Sequence, residues 1–159
     1  MKLPETDIEL DKDIAFLFGY IEYNADTHLY PSILLIIRDN HERDLLLSLF
    51  DTLDPMIRAS YCPYFPTSLY LPEKWNTYLN KYVIRNNNGV PDFIKQCQDN
   101  DVKLAYVNGF MYNNKNHTSY HYHFLSSLQY LLLQCNIPSG LSCINETKPL
   151  LYTLKYNNS

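Results

Sequence analysis

Most signatures of enzymes, membrane spans and nucleic-acid binders are missing from this chain of 159 residues. Glycine occurs only four times, and no glycine-rich run opens a helix, so there is no loop of backbone N–H groups to cradle a nucleotide's phosphates. No stretch is long and apolar enough to cross a membrane, and MKLPETDIEL does not read as a signal peptide. The four cysteines, Cys62, Cys97, Cys135 and Cys143, include no CxxC pair. They point to reduced thiols in an intracellular, cytoplasmic or nuclear chain, and away from a disulfide framework or a zinc site. Positive charge is scarce as well: 13 Lys and Arg stand against 17 Asp and Glu, a net charge of −4, with no basic cluster. Because duplex binders neutralise phosphates with Lys and Arg, this balance argues against strong duplex binding and leaves room only for a local patch. No Ser-His-Asp order is present.

What remains is a chain that is 46% hydrophobic and 14% aromatic, long enough to bury a core as one domain over residues 1–159. The abundance of Asn and Tyr fits AT-rich coding sequences of the kind found in large viruses, organelles or protists.

Two of the rare glycines sit where a helix is expected. Asp99, Asn100 and Asp101 supply caps for a helix from Asp101 to Tyr112, in which Val102, Ala105, Tyr106, Gly109 and Phe110 recur at helical spacing. Asp13–Asn24 repeats that design, with Ile14, Leu17, Phe18 and Ile21 as the apolar stripe and Gly19 in the place of Gly109. A helix-interior glycine costs about 1 kcal/mol relative to alanine, so two of them suggest backbones that something approaches closely. Each helix is followed by a strand-like run, Leu29–Ile37 or Ser119–Leu125, and then by a leucine-rich helix, Glu42–Leu53 or Ser127–Cys135. The pattern predicts pseudo-repeats over about residues 11–85 and 90–157, joined by the loop at 86–89, with glycine packed to glycine across a pseudo-two-fold axis.

The runs GVPDFI, LAYVNGFMYNN and SSLQYLLLQCNIPSGLS resemble the second half of a LAGLIDADG homing endonuclease of the intein type, and LFGYIEYNA looks like a first copy of its motif. The resemblance implies an α+β fold of two αββαββα-type halves whose motif helices form the central interface. It also implies an acid at the end of each motif helix, the two together holding divalent metal at the scissile phosphates. Counted from Gly19 and Gly109, those positions are Asn24 and Asn114. Hard cations such as Mg²⁺ need anionic oxygens, and two-metal cleavage needs a pair of them, so two amides read as a lapsed site without a cofactor. Glu22 and Asp26 flank the first position and could restore one acid in a slipped register. The second copy offers none, and Lys115 adds positive charge there.

The strands carry the rest of the functional reading. In Ser32–Arg38 both faces are apolar, with Ile33, Leu35 and Ile37 on one side and Leu34 and Ile36 on the other, so both are expected to be covered. Ser119–Phe124 alternates, placing Ser119, His121 and His123 opposite Tyr120, Tyr122 and Phe124. The binding face is therefore expected among Ser119, His121, His123, Ile33, Leu35 and Ile37. His121 and His123, with His117 nearby, would share a face, but two histidines lack the third and fourth ligands a metal site needs.

Elsewhere Met1–Lys12 reads as an extended lead-in, Asn40 as the cap of the Glu42–Leu53 helix, and Met56–Tyr64 with Thr67–Leu71 as a hairpin. Glu73–Tyr82 reads as a helix, and Ile137–Cys143 with Leu150–Tyr156 as a closing hairpin; the short spans Ala25–Asn40 and Lys115–Thr118 leave shortened hairpins in both halves. The expected function is a catalytically inactive scaffold kept as a binding or structural module, with a protein as partner and no membrane. One alternative is nucleic-acid binding through Arg38, Arg43, Arg58, Lys74, Lys81 and Arg85. The other is a surviving Mg²⁺-dependent endonuclease of duplex DNA using Glu22 or Asp26.

Overall fold

The structure is a computed structural model describing residues 1–84, 89–114, 118–119, 122–145, 147–148 and 150–156. Its centre is a pair of helices, α1 (Lys12–Asn24) and α5 (Asn100–Met111), which make the most extensive contact between any two described elements. Asp11 caps α1 by accepting the Ile14 N–H, and Asp99 caps α5 by accepting the Asp101 N–H. Ile14, Leu17, Phe18 and Ile21 face inward from α1, and Val102, Tyr106, Val107 and Phe110 from α5.

The two glycines explain how closely these helices approach. A β-carbon on Gly19 would lie 2.0 Å from the Tyr106 carbonyl oxygen, and one on Gly109 would lie 1.9 Å from the Phe16 carbonyl oxygen. Each glycine therefore packs against the residue three positions before the other, rather than glycine to glycine. Only hydrogen fits at either site.

Around this pair lie two small antiparallel sheets. The first orders β1 (Ala25–Asp26), β2 (Leu34–Ile36) and β3 (Ser68–Tyr70), with Leu35 opposite Leu69 and Leu34 opposite Tyr70. The second orders β4 (Thr118–Ser119), β6 (Tyr152–Tyr156) and β5 (Ser139–Cys143), so the closing hairpin forms as expected. Helices α2 (Asn40–Leu53), α3 (Glu73–Tyr82), α4 (Asp92–Gln96) and α6 (Tyr122–Gln134) complete an α+β architecture over one buried cluster that runs from Leu3 to Leu154. Asn76 on α3 accepts the Ile33 N–H at 3.1 Å and donates to the Leu71 carbonyl at 3.1 Å, tying that helix to the ends of β2 and β3.

Several expectations need correction. Met1–Lys12 is packed, not a lead-in: Leu3 and Leu10 are buried, and the Leu3 N–H bonds the Ile8 carbonyl at 2.8 Å. Asp39, not Asn40, caps α2 by accepting the Glu42 N–H at 2.8 Å. The strand expected over Met56–Tyr64 is instead a 3₁₀ helix at Pro55–Ser60, because Asp54 caps it through the Met56 N–H and Pro55 fits its first turn. Of that hairpin only β3 forms, and it pairs with β2.

Of the alternating run at Ser119–Leu125, Ser119 lies in β4, but the part from Tyr122 onward is helical. Phe124, Leu125, Leu128, Leu131 and Leu132 are all buried at helical spacing, and this longer stripe outweighs a short alternation of period two. Nor are both faces of the β2 strand covered: Leu35 is fully buried, but Ile36 is 43% exposed.

Candidate functional site

The C-terminal ends of α1 and α5 meet in a polar cluster. Asn24 donates through Nδ2 to the Tyr20 carbonyl, one turn back on its own helix, at 2.9 Å. Its side-chain oxygen accepts Asn113 Nδ2 at 3.0 Å, across 89 residues of sequence. Asn113, one position before the expected Asn114, thus meets Asn24. The reason is local: after Met111 the chain tightens, with the Tyr112 N–H reaching the Gly109 carbonyl and the Asn114 N–H reaching the Met111 carbonyl, three residues back in each case. Asn114 is itself buried, at 2% exposure.

A carboxylate does stand in this cluster, and it comes from neither motif helix. Glu42, in the first turn of α2, is 3% exposed. Its Oε1 accepts the Tyr20 hydroxyl, Arg38 Nη1 at 3.1 Å and Asn113 Nδ2 at 3.4 Å, and its Oε2 lies 3.4 Å from the Arg38 backbone N–H. The Asp39 cap sets the helix start that aims Glu42 inward, and the amino end of α2 favours its charge. Burial pushes the Tyr20 phenol well above its ordinary range, and the bond to Glu42 and that carboxylate's charge push it further. Tyr112, whose ring contacts both Phe16 and Tyr20, is raised by burial and then by the charges of Glu42 and Asp39.

This arrangement does not fit a divalent cation. The Asn24 side-chain oxygen is taken by Asn113 Nδ2, and the Glu42 carboxylate is neutralised by Arg38 and held by Tyr20 and Asn113. Among the described residues, no group of three or more His, Cys, Asp or Glu could hold a metal.

The other named acids point elsewhere. Glu22 brings its charge beside Tyr106, whose fully buried phenol is pushed well up by burial and then by that charge. Asp26 turns to His28, accepting its backbone N–H at 3.0 Å and contacting its Nδ1 at 2.7 Å; those bonds hold its carboxyl below the usual range.

The expected binding face is not assembled. Ile33, Leu35 and Ile37 point into the core at 0%, 0% and 3% exposure, so they line no surface. Ser119 lies in β4 opposite Tyr152, whereas His123 is exposed on α6 with its ring near Tyr122. His123 therefore does not lie on a strand face, and His117, His121 and Lys115 lie outside the described residues. The face left open by β1-β2-β3 is the opposite one. Ile36 and Tyr70 are 43% and 52% exposed there, half-buried Leu34 lies between them, and Tyr64 and Phe65 stand exposed at one end.

The basic residues named for nucleic acid are bound to acids. Arg38 pairs with Glu42, Arg43 with Asp44, Arg58 with Asp51, Lys74 with Asp54 and Lys81 with Glu5. Arg85 lies outside the described residues.

Sequence reasoning missed Glu42 and the Leu34, Ile36 and Tyr70 face. The Asp39-x-x-Glu42 spacing is a capping-box signal that could have turned Glu42 inward, but nothing in the sequence pointed to Tyr20. Compared with family models and with curated protein sequences, the chain matches none.

Proposed function

We propose that this chain is a catalytically inactive LAGLIDADG-endonuclease-like protein, a pseudo-two-fold scaffold of two αββαββα-type halves with shortened hairpins, retained as a protein-binding module. The observation that carries the reading is the closure of the two helix ends on the Asn24–Asn113 hydrogen bond, backed by a Glu42 already engaged by Arg38 and Tyr20. Cleavage of a phosphodiester in this family's manner needs two free acids at that point, and none is offered. The reciprocal packing of Gly19 and Gly109 supports the pseudo-symmetric part of the reading.

Support for a protein partner comes from the outer surface of the first sheet. Leu34, Ile36 and Tyr70 present apolar and aromatic area suited to side chains, and Arg38, two residues beyond Ile36, is already paired with Glu42. The acid partners of Arg38, Arg43, Arg58, Lys74 and Lys81 weigh further against a phosphate-tracking groove.

Two measurements test this reading together. Pure protein incubated with a mixed duplex library and Mg²⁺ or Mn²⁺ is expected to leave the DNA uncut. A photo-crosslinker placed at Ile36 is expected to capture a protein. Metal-dependent cuts that vanish in Glu22→Gln or Asp26→Asn would restore the endonuclease reading. Capture of nucleic acid alone, with a gel shift that weakens as salt rises, would replace the partner class.

A further inference from the structure

In the second sheet β6 is central and β5 lies at the edge, and no described strand pairs with the outer side of β5. Natural edges are usually blunted by charge, proline, a bulge or a cover. β5, SGLSC, has no charge and no proline within it, and Gly140, Ser142 and Cys143 are exposed.

The ladder's alternation fixes which backbone groups of β5 face outward. The Ile144 N–H bonds the Leu151 carbonyl at 2.9 Å, directly after the strand. Bonded and non-bonded pairs alternate along an antiparallel ladder, so Ser142 and Gly140 bond β6, and Leu141 and Cys143 turn their N–H and C=O groups outward. The Ser139 carbonyl also faces out and accepts Gln129 Nε2 at 3.2 Å.

We infer that β5 is a homodimer edge, pairing antiparallel with β5 of a second copy about a two-fold axis at Leu141. This register brings together the groups that face outward. Leu141 exchanges two hydrogen bonds with Leu141 of the second copy, and Cys143 stands opposite Ser139. Isologous pairing places each strand against itself, so any charge on it meets a like charge nearby; an uncharged strand of this length escapes that repulsion.

The same register also sets apolar residues against each other at both ends of the shared ladder, where Ile144, 53% exposed, falls opposite the exposed Pro138 of the second copy. That match selects a second copy over an arbitrary foreign strand.

The test uses sedimentation of the pure chain from micromolar to millimolar concentration. A reversible dimer is expected, with amide exchange at Leu141 and Cys143 slowing as it fills. Gly140 and Ser142 face one another across the axis, and a β-carbon on Gly140 meets nothing within 4 Å, so both positions accept side chains without disturbing the monomer. G140K/S142K sets like charges opposite each other twice and is expected to raise the dimer Kd by about tenfold or more. G140K/S142E sets opposite charges there and is expected to return it to within a few-fold of the parent. Circular dichroism and thermal unfolding confirm that both variants remain folded. A chain that stays monomeric throughout, or a dimer indifferent to G140K/S142K, overturns the inference; neither result bears on the nuclease reading.

Discussion

Gly109 stands against the backbone of Phe16 so closely that a β-carbon on it would lie 1.9 Å from the Phe16 carbonyl oxygen and 2.7 Å from the carbonyl carbon. Backbone atoms cannot swing aside as a long side chain does, so relief would require the two central helices to separate. Helix propensity alone favours alanine over glycine by about 1 kcal/mol, which makes the sign of the effect diagnostic. Gly109→Ala is expected to destabilise by roughly 3 kcal/mol or more, and Gly19→Ala likewise, read as a lowered urea midpoint. Either substitution raising that midpoint would mean the helices are not in backbone contact.

The Glu42 cluster predicts a loss at its hydroxyl donor. Tyr20→Phe keeps the ring and removes the donor, leaving a carboxylate that is 3% exposed short of one partner. The expected cost is about 1–3 kcal/mol in equilibrium unfolding at neutral pH. An unchanged stability would show that Tyr20 and Glu42 are not bonded.

Asn113→Asp should be harmful in a pH-dependent way. It converts a donor into an anion beside Glu42 and Asn24, at a cost of roughly 1–3 kcal/mol at pH 7. Repulsion raises the folded-state pKa of the introduced acid, so its charged form is the penalised one. The penalty is full above that raised pKa and fades as pH falls from it to the ordinary carboxylate pKa. Unfolding midpoints of variant and parent should therefore converge toward about pH 4.

Buried phenols predict alkaline sensitivity. Tyr20, Tyr78, Tyr106, Tyr112 and Tyr156 are all raised, each chiefly by burial. The folded chain keeps these protons where the unfolded chain releases them, so their contribution is full below about pH 10 and is lost as pH climbs above it. Denaturation followed from pH 9 upward, alongside the ultraviolet phenolate signal, checks this. The Tyr106 hydroxyl is buried and makes no hydrogen bond, so Tyr106→Phe is expected to stabilise by about 1 kcal/mol and to flatten the alkaline slope.

On the outer face of the first sheet, Ile36→Asp and Tyr70→Asp should leave stability within about 0.5 kcal/mol while abolishing capture of the protein partner. Loss of folding in both variants would show that the face belongs to the core.

The parts of this molecule that were legible in its sequence are those decided by long periodic stripes and local caps. The stripe of Ile14, Leu17, Phe18 and Ile21 and the Asp99 cap leave little freedom, and the two helices form with ends close to those expected. The interruption of such stripes by Gly19 and Gly109 announced close approach. It could not name the carbonyl each would touch, because that depends on where the helices cross.

Short patterns misled. Tyr-His-Tyr-His-Phe alternates over too few residues to compete with the leucines that follow, so α6 begins at Tyr122. In the β2 strand, periodicity separates Ile33, Leu35 and Ile37 from Leu34 and Ile36, yet both sets are apolar and nothing local says which faces the core. Glu42 was out of reach for a different reason: its partners Tyr20 and Asn113 lie 22 and 71 residues away.

The bond from Asn113 to Asn24 joins positions 89 residues apart, and the helices it links are the middle of the molecule. A ribosome releasing this chain exposes α1 long before α5 exists to meet it. Until then Ile14, Leu17, Phe18 and Ile21 lack the surface they will be buried against, and the nascent first half can fold only provisionally. Final assembly belongs to the moment α5 leaves the exit tunnel, so a transcript truncated ahead of Asn100 would yield a sticky fragment and not half of a working protein.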